Sequence, residues 1–195
     1  MDAYERDKAA PLPAHASAAG GASVLDPARA ERRGAGGLPA RQKILKEHGL
    51  GLKEIQDTID KIDPLDGAKD FLDELRDNMQ TIIISDTFEQ FAKPLMKKLG
   101  MPTIFCNSLI VGDDGMITGY KMRCEKSKLT TVKALQSCGF DTIATGDSFN
   151  DLAMIQASKA GFLFRSTEKI KADFPEIPAY EEYKDLLAAF KNAAK

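Results

Sequence analysis

The chain has 195 residues, 43% of them hydrophobic, a size and composition suited to one domain with a sizeable core. Its 27 Lys and Arg nearly balance 29 Asp and Glu, and a net charge of -2 gives no field suited to nucleic acid or an anionic membrane. The charged opening MDAYERDK has no apolar leader, the apolar runs are far too short for a bilayer, and Cys106, Cys124 and Cys138 have neither metal-site nor disulfide spacing, so a cytoplasmic protein with ordinary thiols is expected.

Residues 1–39 are rich in Ala, Gly and Pro, offer almost nothing to anchor a core, and are expected to be disordered; Ser23-Val24-Leu25 hints at a strand that Pro27 cuts short. Periodicity begins near residue 40. A short helix is predicted over 40–48, ending at His48 and Gly49, and a second sets Ile55, Ile59 and Ile62 on one face before Pro64, so that 40–64 read as one small helical unit. A third helix over 68–76 precedes the β-branched run Thr81-Ile82-Ile83-Ile84, of the kind buried in a parallel sheet. The alternation continues with a helix over 88–99, a strand over 103–106, a hairpin around Asp113-Asp114-Gly115, a helix over 128–138 and a strand over 141–145. A helix over 150–157, a strand over 161–164 and a final helix over 180–192 complete it. Strands separated by helices predict an α/β fold with a doubly wound parallel sheet over 65–195.

Ligands of such sheets bind outside the carboxyl ends of the strands, where three segments are polar. Ser85-Asp86-Thr87 follows a strand and precedes a helix, placing a hydroxyl and free N–H groups where a phosphate would sit. Gly146-Asp147-Ser148-Phe149-Asn150-Asp151 releases two carboxylates and an amide after another strand, and Asp147 is the candidate ligand for a hard cation such as Mg2+. Lys128 opens a helix whose Val132 and Leu135 pack inward, so its ammonium can serve as a fixed positive charge for a phosphoryl group. Taken singly, Ser85, Asp86, Asp147, Asn150 and Asp151 also read as helix caps and Lys128 as a surface lysine; their order along the chain, each after the proper element, is what favours a site.

On these motifs the sequence resembles the haloacid dehalogenase superfamily of phosphotransferases, with Ser85 matching its second motif, Lys128 its third and Gly146 to Asp151 its fourth. In its phosphoserine phosphatase branch the fourth motif commonly reads GDxxND, and Ser85-Asp86-Thr87-Phe88 is similar to members that also transfer the phosphoryl group to homoserine. The resemblance covers about residues 40–195 and implies a Rossmann-like core with a small helical cap, of which 40–64 would be a remnant. It also implies Mg2+ as cofactor and O-phospho-L-serine as a small-molecule substrate, with Ser85, Lys128, Asp147 and Asp151 in the catalytic machinery. Substrate would be held by Arg41, Ser85, Asp86, Thr87, Lys128 and Asn150, Arg41 taking the carboxylate as a planar two-point donor, although it also reads as an exposed helix arginine. The implied reaction is in-line attack by an Asp to give an aspartyl-phosphate, with a second acidic residue two positions on protonating the leaving serine and activating water or homoserine.

The attacking pair is missing. The family carries acid-x-acid at the end of an apolar first strand in the middle of its sheet, and residues 1–40 hold no such run; Glu5-Arg6-Asp7 follows no strand, and Asp26 is the nearest imitation. Without that strand its two neighbours lose ladder partners, and a partly folded or aggregation-prone product is expected. The abrupt switch near residue 40 suggests a frameshift or a misplaced start. Hydrolysis of phosphoserine, transfer to homoserine, and a non-catalytic protein that binds a phosphorylated metabolite are the readings left open, and the oligomeric state is not legible.

Overall fold

Local signals set most boundaries in residues 51–195, the part of the chain that this computed structural model describes. The predicted helix over 40–48, with Arg41 and His48, lies outside the described residues, as does the segment holding Asp26. Gly51 caps helix α1 (Leu52–Ile59), its N–H donating to Glu54 Oε2 at 2.8 Å. Helix α2 (Ala68–Asn78) leads into strand β1 (Ile82–Phe88), then helix α3 (Glu89–Lys98) and strand β2 (Thr103–Val111). The hairpin expected at Asp113-Asp114-Gly115 joins β2 to strand β3 (Ile117–Lys121), with Gly115 at a φ of 78° that only glycine adopts without strain. Helix α4 (Ser127–Ser137), strand β4 (Ile143–Gly146), helix α5 (Leu152–Ala157) and strand β5 (Ala160–Phe164) follow. Helix α6 (Glu168–Asp173), strand β6 (Ala179–Tyr180) and helix α7 (Tyr183–Ala193) end the chain. Sequence periodicity started the last helix at 180; residues 179–180 instead pair with β5, which delays it to Tyr183.

The described strands form two three-stranded sheets rather than one. β1 and β2 run parallel and β3 returns antiparallel, while β4, β5 and β6 are all parallel. Among the described residues β1 pairs only with β2, and β4 only with β5.

Common helices cover both sheets. On one face α2 places Leu72 with Ile83 and Ile104, and Leu75 with Phe162 and the α7 side chains Leu186 and Phe190. On the other, Val132 of α4 packs with Ala144 and the α5 residues Leu152 and Ile155, and Ile84 joins this cluster. Shared helices thus pack against both sheets, while β1 and β4 each keep one edge unpaired within residues 51–195. Burial records the difference: Leu163 of β5 is 0% exposed, whereas Ile82, Ile83 and Ile84 are only half-buried. The β-branched run forms the strand read from the sequence but does not receive the burial that such a run fits.

Candidate active site

The carboxyl ends of β1 and β4 carry the polar segments, and the N-terminus of α4 lies across them. β1 pairs with β2 in register through Ile84, slips, and pairs again at Phe88, so Ser85-Asp86-Thr87 bulges out of the ladder. Helix α3 begins at Glu89, so this segment lies before its cap rather than at its first N–H groups. The Thr87 N–H donates to Ser85 Oγ at 3.2 Å, and the Asp86 side chain is 53% exposed.

Lys128 links the two strand ends. Its Nζ lies 2.5 Å from Asp151 Oδ1 and 3.9 Å from Asp86 Oδ2, with the lysine side chain 16% and the Asp151 side chain 5% exposed. Asp151 Oδ2 accepts from the Asp147 N–H at 3.2 Å, the Ser148 N–H at 3.1 Å and Ser148 Oγ at 2.8 Å. Burial pushes the Asp151 carboxyl up, but the Lys128 and Ser148 hydrogen bonds outweigh it and hold the group below the usual carboxylate range. Both Asp151 oxygens are therefore spent inside the protein, fixing the turn and the lysine. Gly146 makes the closeness possible, because a Cβ there would meet Asp151 Cβ at 2.3 Å.

Asp147 differs from Asp151. It is exposed, and neither carboxylate oxygen has a hydrogen-bond or ion-pair partner among the described residues. Its backbone is tethered instead: the buried Ser166 donates Oγ–H to the Asp147 carbonyl at 2.8 Å. One residue before the turn glycine, Thr145 Oγ1 is buried without a partner within the described residues. No cluster of three His, Cys, Asp or Glu side chains that could hold a metal occurs among the described residues. Asn150 is exposed and makes no hydrogen bond to a described residue.

Sequence reading missed a supporting network. Asn107, 1% exposed, donates Nδ2–H to the Asp86 carbonyl at 3.0 Å and accepts the Arg123 N–H at 3.0 Å. Ser127 Oγ donates to Asp86 Oδ1 at 3.0 Å. The Arg123 guanidinium donates to the Ser127 carbonyl at 3.2 Å and Thr131 Oγ1 at 2.6 Å, and stacks 5.3 Å over Phe105. The one sequence signal was an asparagine inside the apolar stretch Thr103–Val111, a buried amide that has to find partners.

This arrangement places a lysine between two strand-end carboxylates beside an unspent third. The haloacid dehalogenase-like hydrolase family matches residues 16–159. The chain belongs to the haloacid dehalogenase-like hydrolases. By family it is an enzyme. It is 42% identical over 157 residues to phosphoserine phosphatase ThrH of Pseudomonas aeruginosa, a match covering 80% of this chain and 77% of that protein. It is 40% identical over 157 residues to a phosphoserine phosphatase of Pseudomonas syringae pv. tomato, covering 80% of this chain and 66% of that one. Among solved structures, a phosphoserine phosphatase in apo form superposes with a TM-score of 0.57 at 26% identity, over 69% of this chain and 70% of that one. No helix among the described residues is long and apolar enough to cross a membrane.

Proposed function

We propose that this site binds O-phospho-L-serine and hydrolyses its phosphomonoester. The observation that carries the reading is Lys128, held within 2.5 Å of a buried carboxylate at the carboxyl end of β4 and facing the bulge that ends β1. A lysine fixed there offers a positive charge to phosphoryl oxygens without reorganising. Ser85 supplies a hydroxyl at the same strand ends, and Asp147 the one unspent carboxylate oxygen set for Mg2+, an ion that keeps several water and phosphate ligands. Bound there, Mg2+ would offset phosphoryl charge. Substrate choice rests on relatives named phosphoserine phosphatase at 40–42% identity. Arg41, at the place the resemblance gives to a carboxylate-binding arginine, completes the reading from outside the described residues. Three free cysteines fit a reducing compartment such as the cytoplasm.

Within residues 51–195 no strand lies between β1 and β4 to deliver an attacking carboxylate, which sets how the reading is tested. The full chain with Mg2+ is assayed for phosphate release from O-phospho-L-serine, beside Asp147→Asn and with calorimetric binding in parallel. Release that the variant abolishes supports hydrolysis, and phosphohomoserine formed on adding homoserine reveals transfer. Binding without release reduces the proposal to recognition of a phosphorylated amino acid. Neither binding nor release by folded protein removes it.

A further inference from the structure

The Asp86 carboxylate is poorly explained as a partner of Lys128 alone. Lys128 already has Asp151 at 2.5 Å, while Asp86 Oδ2 stands off at 3.9 Å with its side chain 53% exposed. Yet Asp86 is held with care. Ser127 Oγ pins one carboxylate oxygen at 3.0 Å, and the fully buried Asn107 pins its backbone carbonyl at 3.0 Å. Ser127 is itself buried at the head of α4, next to Lys128. Two buried polar side chains thus orient an exposed carboxylate whose second oxygen remains open to a ligand.

The charge around Lys128 says which ligand. Asp86 and Asp151 stand against one lysine, and Arg123 is occupied with Ser127, Thr131 and Phe105. A phosphoryl group that reaches Lys128 therefore also approaches the Asp86 carboxylate, and like charges at that range oppose binding. A ligand with its own cation close to the phosphoryl group converts this repulsion into an attraction. Resting on the reading of the site as one for a phosphomonoester, we propose that Asp86 is a specificity-determining residue that binds the ammonium of an amino-acid phosphomonoester and disfavours phosphomonoesters that lack one. Ser127 and Asn107 are its positioning residues.

The test uses two ligands that differ at this one group: O-phospho-L-serine and 3-phosphoglycerate, which has a hydroxyl in place of the ammonium. Their binding to the full chain is measured by calorimetry at one fixed Mg2+ concentration, so that turnover is not needed. O-phospho-L-serine is expected to bind about tenfold more tightly than 3-phosphoglycerate, the scale of one charge-assisted hydrogen bond. Asp86→Asn should bring the two within about twofold, by weakening O-phospho-L-serine and by relieving the repulsion that holds 3-phosphoglycerate off. Ser127→Ala, which leaves the carboxylate but frees it, should lose part of the preference while leaving 3-phosphoglycerate unchanged. Thermal midpoints confirm that each variant is folded, and the exposed position of Asp86 favours this. If Asp86→Asn weakens both ligands equally, Asp86 is only a counter-ion of Lys128 and the assignment fails. A wild-type chain that binds both equally also overturns it, without touching the phosphomonoester reading. A chain that binds neither overturns both.

Discussion

Asp147 and Asp151 lie in one turn and do opposite things. Asp151 receives four hydrogen bonds, one of them from its ion-pair partner Lys128, in a nearly closed setting, and Asp147 receives none on its carboxylate from the described residues. Asp151 thus acts through Lys128 and the backbone of its turn. Replacing it with Asn should destabilise the protein by about 2 kcal/mol, below the full figure for breaking a buried pair because Lys128 keeps some access to water. Urea unfolding checks this. The pH dependence follows from the depressed carboxyl. A carboxylate whose folded pKa lies below its unfolded value adds stability that is present above the unfolded pKa and lost as pH falls through the folded one. The gap between wild type and Asp151→Asn should therefore narrow when unfolding is repeated below about pH 4; a gap that stays constant would mean that the charge contributes nothing. The sequence made both acids visible as a motif but could not divide their roles, since that division depends on a lysine 23 positions away. Asn107 was harder still, because its partners come from the bulge within β1 and the loop before α4.

The elements that position the site depend on close backbone approach. Gly161 opens β5 beneath α5, where an added Cβ would meet Ile155 Cγ2 and the Ile155 carbonyl oxygen at 2.5 Å each. The carbonyl belongs to helical backbone and has little room to give. Gly161→Ala should therefore destabilise by about 1–3 kcal/mol and lower the thermal midpoint, although alanine favours ordered structure elsewhere. An unchanged midpoint would show that α5 can slide along the sheet. α2, α3, α4, α5, β4 and β5 were legible, each falling within a few residues of where apolar runs and breakers placed it. α6 and β6 were not. α6 spans Glu168–Asp173 and is started by the Thr167 side chain accepting the Ile170 N–H, while β6 is a two-residue strand defined only by pairing with β5. Neither is long enough to show a period. The bulge at Ser85-Asp86-Thr87 was also illegible, because it arises from a register slip against β2 rather than from local preference.

At the scale of the whole molecule, the described strands form two halves clamped by shared helices. The chain carries no apolar run before residue 40, from which the lack of a central strand is expected; residues 1–50 lie outside the described part, and within residues 51–195 β1 and β4 each have one unpaired edge. In a parallel strand successive peptide groups point to alternate sides, so about half the amides of a one-sided strand lack a ladder acceptor. Hydrogen exchange then separates the strands. β5 lies between β4 and β6, and its Phe162–Phe164 end, where the Leu163 N–H donates to the Pro178 carbonyl at 2.9 Å, should exchange slowly. Over Ile82–Phe88 and Ile143–Gly146, protection should be split: amides bonded to β2 or β5 slow, and the alternate ones at least about tenfold faster. Residue-resolved exchange read by NMR makes the comparison directly. Uniform protection of β1 and β4 at the level of β5 would mean that a further strand pairs with both edges in solution. If protection of those edges rises with protein concentration, the strand comes from another copy, since exposed parallel edges are templates for pairing between chains.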